Sequence, residues 1–68
     1  MTPAQCRAAR ALLGWSQEEL SVAASVSRKT IADFEADKRT AYDRTLRDLR
    51  AALEEAGVEF IPQGVRIL

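Results

Sequence analysis

The sequence contains no histidine and only one cysteine, Cys6. A single cysteine excludes an internal disulfide, and without histidine the chain has no adequate set of zinc ligands. It also lacks an apolar run long enough to span a membrane, and its N-terminus shows no signal-peptide pattern. We therefore expect a cytoplasmic protein without metal, cofactor or membrane contact, in which Cys6 is a buried hydrophobic residue.

Residues of the kind that enzymes use are scarce as well. The chain offers no histidine for acid–base catalysis, no glycine-rich phosphate loop and no convincingly spaced pair of carboxylates. With 68 residues it can form one small domain, whose core is too small to enclose a substrate. The sequence therefore predicts neither catalytic residues nor a small-molecule ligand.

The charges balance to zero overall, but they are unevenly placed along the chain. All but one of the ten basic residues occur at or before Arg50, whereas Glu54, Glu55 and Glu59 follow it with only Arg66 to oppose them. A net charge of zero neither favours nor excludes nucleic acid as a partner, because binding depends on where the charges lie along the chain. The N-terminal part of the chain is the basic part.

Two short helices joined by a tight turn are predicted between Ser16 and Glu35. Ser16 and Glu19 form a capping-box pattern that predicts a helix over 17–24, and Ser27 marks the start of another over 28–36. The three residues between them are too few for an antiparallel arrangement, so the helices should cross steeply. Such a pair projects its second helix away from the domain, an arrangement that suits insertion of the helix into a DNA groove.

The apolar spacing predicts which faces of these helices are buried. The first of the pair should bury Leu20, Ala23 and Ala24. The second should bury Ile31 and Phe34 at a three-residue spacing, which leaves its basic N-terminal residues facing outward. Two bases at a helix N-terminus oppose the helix dipole by about 0.3–1 kcal/mol each, which favours a bound anion over a merely solvated face.

Further elements are predicted on either side of this pair. Thr2, Pro3 and Gly14 delimit a helix over about 3–13, and Trp15 should plug into the core. A long helix over about 41–56 should bury one apolar face and end at a glycine. That face comprises Tyr42, Leu46, Leu49, Leu53 and Ala56. The apolar period then changes to a strand-turn-strand pattern over 58–68, which predicts a hairpin.

The segment 16–35, SQEELSVAASVSRKTIADFE, resembles the helix-turn-helix of the Cro and Xre family of bacterial and phage regulators. The resemblance extends from Arg10 and Gly14 to Lys38 and Arg39. It implies a mainly α, four-helix, lambda-repressor-like domain, here followed by the short C-terminal β-hairpin. Ser25 departs from the family, which prefers glycine there because the turn residue often has a positive φ.

The resemblance also implies which residues meet double-stranded DNA. In the family, residues at the start of the recognition helix, here 28–36, reach base edges. The N-terminus of the preceding helix, here 17–24, and the loop after the recognition helix contact phosphates. Asp33 is expected either to accept from a cytosine amino group or to tether Lys29. The resemblance also implies that Arg10 and Glu35 form a partly buried pair with a structural role. The assigned DNA-binding residues are Ser16, Gln17, Ser27, Arg28, Lys29, Thr30, Asp33, Lys38 and Arg39.

We divide the chain into a helix-turn-helix domain, 1–57, and a hairpin, 58–68, as a candidate dimerisation element. A lone hairpin is marginally stable, so it should either pair with a second copy or fold back on its own helices. The residues assigned to the dimer interface are Val58, Phe60, Ile61, Val65, Ile67 and Leu68.

The sequence as a whole predicts a dimeric, sequence-specific transcriptional regulator on a palindromic operator, which blocks or recruits polymerase. The alternative is a protein-interaction module, such as an antitoxin or adaptor, on the same helical scaffold. The neutral net charge and Asp33 favour that alternative slightly, whereas the basic residues at family-matching contact positions oppose it.

Overall fold

The ends of the first three helices are set by short-range hydrogen bonds to capping side chains. Thr2 accepts from the Gln5 amide and Ser16 from the Glu19 amide, and in both cases the third residue bonds back to the cap's own N–H. Ser27 accepts from the Thr30 amide in the same way. These caps satisfy amides that have no partner inside the helix, which fixes where each helix starts.

A computed structural model describes all residues, 1–68. The elements are α1 (Pro3–Leu13), α2 (Gln17–Ala24), α3 (Arg28–Glu35), α4 (Asp43–Glu55), β1 (Val58–Ile61) and β2 (Gly64–Ile67). The predicted fold, four helices and a C-terminal hairpin, is confirmed. None of the helices combines the length and apolar character needed to cross a membrane.

The turn between α2 and α3 passes through a left-handed residue. Ser25 has φ 55 and ψ 41, and its amide donates to the Ser21 carbonyl while the Ser21 hydroxyl donates to the Val26 carbonyl. Ser25 therefore adopts the positive φ for which the family prefers glycine, although it carries a Cβ. Because only glycine adopts this conformation freely, the turn is held by the bonds around it.

We predict that Ser25→Gly raises the free energy of unfolding by about 0.5–1 kcal/mol, because relief of the left-handed strain outweighs the added entropy of the unfolded chain. Urea unfolding followed by circular dichroism measures the change. Ser25→Ala is the matched control and should leave stability close to wild type, since it retains the Cβ. A glycine variant less stable than the wild type would contradict the prediction.

The core is a single apolar cluster shared by all the helices and the hairpin. Its buried members are Cys6, Ala9, Leu20, Ala24, Ile31, Phe34, Ala41, Leu49, Leu53 and Val58. The prediction that Ala23 is buried is wrong: α2 packs through Leu20 and Ala24, and Ala23 is exposed. Trp15 is partly buried against the cluster, as predicted.

The start of α4 also differs from the prediction. The helix begins at Asp43, and Tyr42 is its N-cap with an extended backbone, φ −64 and ψ 152, and no side-chain cap bond. Tyr42 was predicted to lie inward at helical spacing from Leu46, but it precedes the helix and its side chain is 78% exposed. The apolar face of α4 is thus shorter than predicted and is centred on the buried Leu49 and Leu53.

The hairpin folds back on its own helices, which was one of the two expected arrangements. β1 and β2 pair antiparallel from Val58 opposite Ile67 to Ile61 opposite Gly64. Gln5 on α1 donates from Nε2 to the carbonyls of Ile61 and Gly64, at 2.9 and 3.1 Å, and so ties the hairpin turn to α1.

This packing divides the residues assigned to a dimer interface. Val58 is 1% exposed, and Phe60 and Val65 are partly buried against the core, so these three pack on their own domain. Ile61, Ile67 and Leu68 remain exposed.

Candidate nucleic-acid interface

The first turn of α3 presents two cationic side chains to solvent. The side chains of Arg28 and Lys29 are 62% and 81% exposed. Beneath them the Ser27 hydroxyl accepts from the Thr30 amide at 3.1 Å and donates to the Thr30 hydroxyl at 2.8 Å, which fixes the backbone of this turn. The helix N-terminus therefore offers positive charge on a rigid backbone, an arrangement suited to an anion or to base acceptors.

Arg28 has no strong partner within the protein. Its nearest carboxylate is that of Glu18 on α2, with 3.9 Å between Arg28 Nε and Glu18 Oε2, and both side chains are mostly exposed. An exposed ion pair at this separation contributes little to stability. The Arg28 guanidinium is consequently free to bind another molecule.

Asp33 lies one turn after Lys29 and binds it. The Lys29 ammonium donates to Asp33 Oδ2 at 3.1 Å, and the Asp33 side chain is only 18% exposed. Asp33 was expected either to bind a cytosine amino group or to tether Lys29, and the structure shows the bond to Lys29. The lysine offsets the charge of the carboxylate, which reduces the repulsion that Asp33 exerts on a phosphate.

The N-terminus of α2 lies beside α3 and is connected to it. Gln17 Nε2 donates one proton to Glu35 Oε1 at 3.0 Å, so the side chain steadies a recognition-helix residue while its second amide proton remains unused. The Ser16 hydroxyl accepts from the Glu19 amide at 3.0 Å. A hydroxyl and a spare amide proton at a helix N-terminus suit a phosphate oxygen.

Lys38 and Arg39 occupy the loop that follows α3. The chain turns through Asp37, which has φ 60, and the amide of the following Lys38 donates to the Asp33 carbonyl at 2.9 Å. Both cationic side chains are exposed, and neither forms an ion pair. Their charges therefore remain uncompensated at the end of the recognition helix.

Glu35, at the end of α3, is the only buried charged residue, with 4% of its surface exposed. Arg10 binds it through two parallel bonds, 2.8 Å from Nε to Oε2 and 2.6 Å from Nη2 to Oε1. The predicted pair between α1 and α3 is thus confirmed, and its geometry is the bidentate one that arginine favours. We call Glu35 and the side chains bonded to its carboxylate, those of Arg10, Gln17 and Cys6, the Glu35 network.

Cys6 and Arg7 also bond to Glu35, and neither contact was predicted. The Cys6 thiol donates to Glu35 Oε2 at 3.1 Å, and Arg7 donates from Nη1 to the Glu35 backbone carbonyl. Arg10 additionally donates from Nη1 to the Trp15 carbonyl at 3.0 Å. The one available signal was spacing, because Cys6 and Arg10 are four residues apart and share one face of α1.

The network sets the protonation of its members. Burial alone would raise the pKa of Glu35, but hydrogen bonds from Arg10, Gln17 and Cys6 outweigh it and lower the pKa below its ordinary value of 4.5. Burial, together with the hydrogen bond to Glu35, raises the pKa of the Cys6 thiol to about 12. Cys6 therefore stays a protonated donor at neutral pH, which makes it unreactive.

We predict an acid-dependent loss of stability that depends on Glu35. The pKa of Glu35 is lower in the folded state than in the unfolded state. Glu35 therefore stabilises the fold fully at pH values above its pKa in the unfolded chain. This stabilisation is lost as the pH falls towards the pKa in the folded protein. Urea unfolding between about pH 6 and pH 3 should show a shallower pH dependence in Glu35→Gln than in the wild type. Glu55→Gln, at an exposed position, should retain the wild-type slope, and equal slopes in all three proteins would contradict the prediction.

The comparison with protein families agrees with this architecture. A family model described as helix-turn-helix, of the Cro/C1 type, matches residues 7–60, which run from within α1 through α4 and into β1. No curated protein matches the chain. The match covers most of the sequence and includes the exposed first turn of α3 and the pair formed by Arg10 and Glu35. The chain belongs to the Cro/C1-type helix-turn-helix family of DNA-binding domains.

Proposed function

We propose that this protein is a sequence-specific transcriptional regulator that inserts the N-terminal half of α3 into the major groove. The observation that carries the proposal is the exposure of Arg28 and Lys29 on the rigid first turn of α3, where their charges oppose the helix dipole. Arginine or lysine in this position pairs with guanine O6 and N7. Arg28, Lys29 and Thr30 are the proposed base-reading residues.

Flanking residues hold the domain on the sugar-phosphate backbone. Ser16 and Gln17 approach one phosphate through the N-terminus of α2, while Lys38 and Arg39 approach the backbone beyond the end of α3. Such contacts fix the register of the recognition helix without reading sequence. Ser27 caps the N-terminus of α3, and Asp33 orients the Lys29 side chain.

We further propose that two copies bind a palindromic operator. Ile61, Ile67 and Leu68 are exposed apolar residues of the hairpin, and contact with a second copy would remove part of this apolar surface from water. A two-fold dimer sets two recognition helices about 34 Å apart, one turn of DNA. Bound in the cytoplasm, such a dimer controls transcription by occupying the operator.

A titration with a random-sequence duplex tests the DNA-binding surface. Backbone amide NMR signals of residues 16–17, 27–30 and 38–39 should shift as DNA is added, and binding should weaken with salt because phosphate counterions are released. Signals of the hairpin should not shift with DNA. Shifts confined to other surfaces, or no shifts at low salt, would contradict the proposal and favour the protein-interaction alternative.

Sedimentation equilibrium tests the dimer separately. The wild type should be dimeric at micromolar to millimolar concentrations, and Ile67→Lys should be monomeric because it places a charge in the proposed interface. Arg47→Lys, on the outer face of α4, is the control and should remain dimeric. A monomeric wild type bound singly to DNA would refute the dimer and leave the DNA-binding proposal standing.

A further inference from the structure

Two shallow hollows meet at Trp15 and Ala23, on the surface formed by α2 and the end of α4. One extends along α2 to Val22 and has a volume of about 360 Å³; the other extends to Ala52 and Ala56 and has a volume of about 310 Å³. Each is about ten times the ~30 Å³ that one water occupies in the liquid, which is room for apolar side chains. We call the two hollows together the α2–α4 groove.

The floor of the α2–α4 groove is apolar and yet open to solvent. Val22 is 74% exposed, and Ala23, which the apolar spacing of α2 predicted to be buried, is exposed as well. Trp15 is partly buried, with its inner part against the core and part of its surface in both hollows. An apolar strip bordered by polar residues is the usual form of a protein-binding site.

The rim of the groove carries charge of one sign only. Its charged residues are Glu18, Glu19 and Glu55, and no lysine or arginine lines either hollow. Glu55 forms no ion pair, and the nearest cation to Glu18 is Arg28 at 3.9 Å. One oxygen of Glu19 accepts from the Ser16 amide in the capping box. This acidic rim attracts a cationic ligand. Its Glu18 and Glu19 adjoin the proposed DNA contacts Arg28 and Ser16, whereas Trp15, Ala23 and Glu55 lie outside that set of contacts.

We propose that the α2–α4 groove binds a basic amphipathic segment of another protein. An apolar side chain of that segment seats between Trp15 and Ala23, and its lysines or arginines lie along the acidic rim, in the manner of a helix bound in a groove. A second copy of this chain fits less well. Its exposed apolar hairpin residues are accompanied only by Arg66, which already pairs with Glu59. The proposal for the groove does not rest on the proposed DNA binding.

The single tryptophan allows a direct test. The probe is a synthetic helical peptide with leucines on one face and lysines on the other, and its matched control has glutamates in place of the lysines. Trp15 fluorescence should change with the lysine peptide only. Ala23→Gln should weaken this binding at least about tenfold, because its longer side chain fills the junction of the hollows. Ala51→Gln, at an exposed position of α4 outside the groove, should bind the peptide as the wild type does.

Three results would overturn the proposal. The first is no change in Trp15 fluorescence at saturating lysine peptide, and the second is equal binding by Ala23→Gln and Ala51→Gln when both unfold at the wild-type temperature. The third is self-association that Ala23→Gln abolishes, which would assign the groove to a second copy. DNA affinity measured in parallel should be the same for both variants, so failure here is distinguishable from failure of the proposed DNA binding.

Discussion

Glu35→Ala is expected to lower the free energy of unfolding by about 3–5 kcal/mol, because removing one partner of a buried ion pair strands the other. The variant leaves Arg10, 18% exposed, without its two strongest bonds, and it removes the acceptor of the Cys6 thiol and the Gln17 amide. A domain of this length has roughly 3–10 kcal/mol of stability in total. The loss is therefore a large fraction of the total stability, and the variant should unfold at a much lower urea concentration than the wild type.

Urea unfolding compares this variant with Glu55→Ala, which removes an exposed glutamate and should change stability by less than about 0.5 kcal/mol. A double-mutant cycle with Arg10→Ala adds a second test. Because the two residues act as one pair, the double variant should be less destabilised than the sum of the single variants. A loss below about 1 kcal/mol in Glu35→Ala would contradict a structural role for the Glu35 network.

The second large effect is expected on DNA recognition. Arg28→Ala should weaken binding to the preferred duplex by about 1–3 kcal/mol, and it should weaken binding to unrelated duplexes much less, because a base contact is lost. Lys38→Ala should weaken binding to all duplexes similarly and lower the salt dependence by about one charge, because a phosphate contact is lost. Fluorescence anisotropy titrations at several salt concentrations separate the two patterns.

Arg47→Ala is the control for loss of a positive charge, because its side chain is 73% exposed on α4, outside the proposed interface. It should affect DNA binding less than either of the other variants. An equal loss of discrimination in Arg28→Ala and Lys38→Ala would refute the division between base-reading and backbone-contacting residues.

Helix boundaries were predictable from the sequence wherever a capping side chain marks them. The predicted starts of α1, α2 and α3 agree with the structure because Thr2, Ser16 and Ser27 bond to amides within three residues, a local chemistry that the sequence contains in full. The start of α4 was predicted two residues too early because no polar side chain caps it. Tyr42 fits the helical spacing but lies outside the helix.

Contacts between distant segments were harder to predict. The resemblance implied the pairing of Arg10 with Glu35. The bond of Cys6 to the same carboxylate joins residues 29 positions apart, and its only signal was that Cys6 shares a face of α1 with Arg10. The exposure of Ala23 likewise depends on the angle at which α2 meets α4. The hairpin was predictable as an element, whereas its packing on α1 depends on tertiary contacts such as that of Gln5 with the turn.

The most direct measurement of the central claim is selection of bound duplexes from a random DNA pool at moderate salt. We predict enrichment of one palindromic sequence whose half-sites are about one helical turn apart, bound at least about a thousandfold more tightly than random DNA. Recovery of a pool without any enriched sequence, with only weak and salt-sensitive binding, would contradict the assignment of this protein as a sequence-specific regulator.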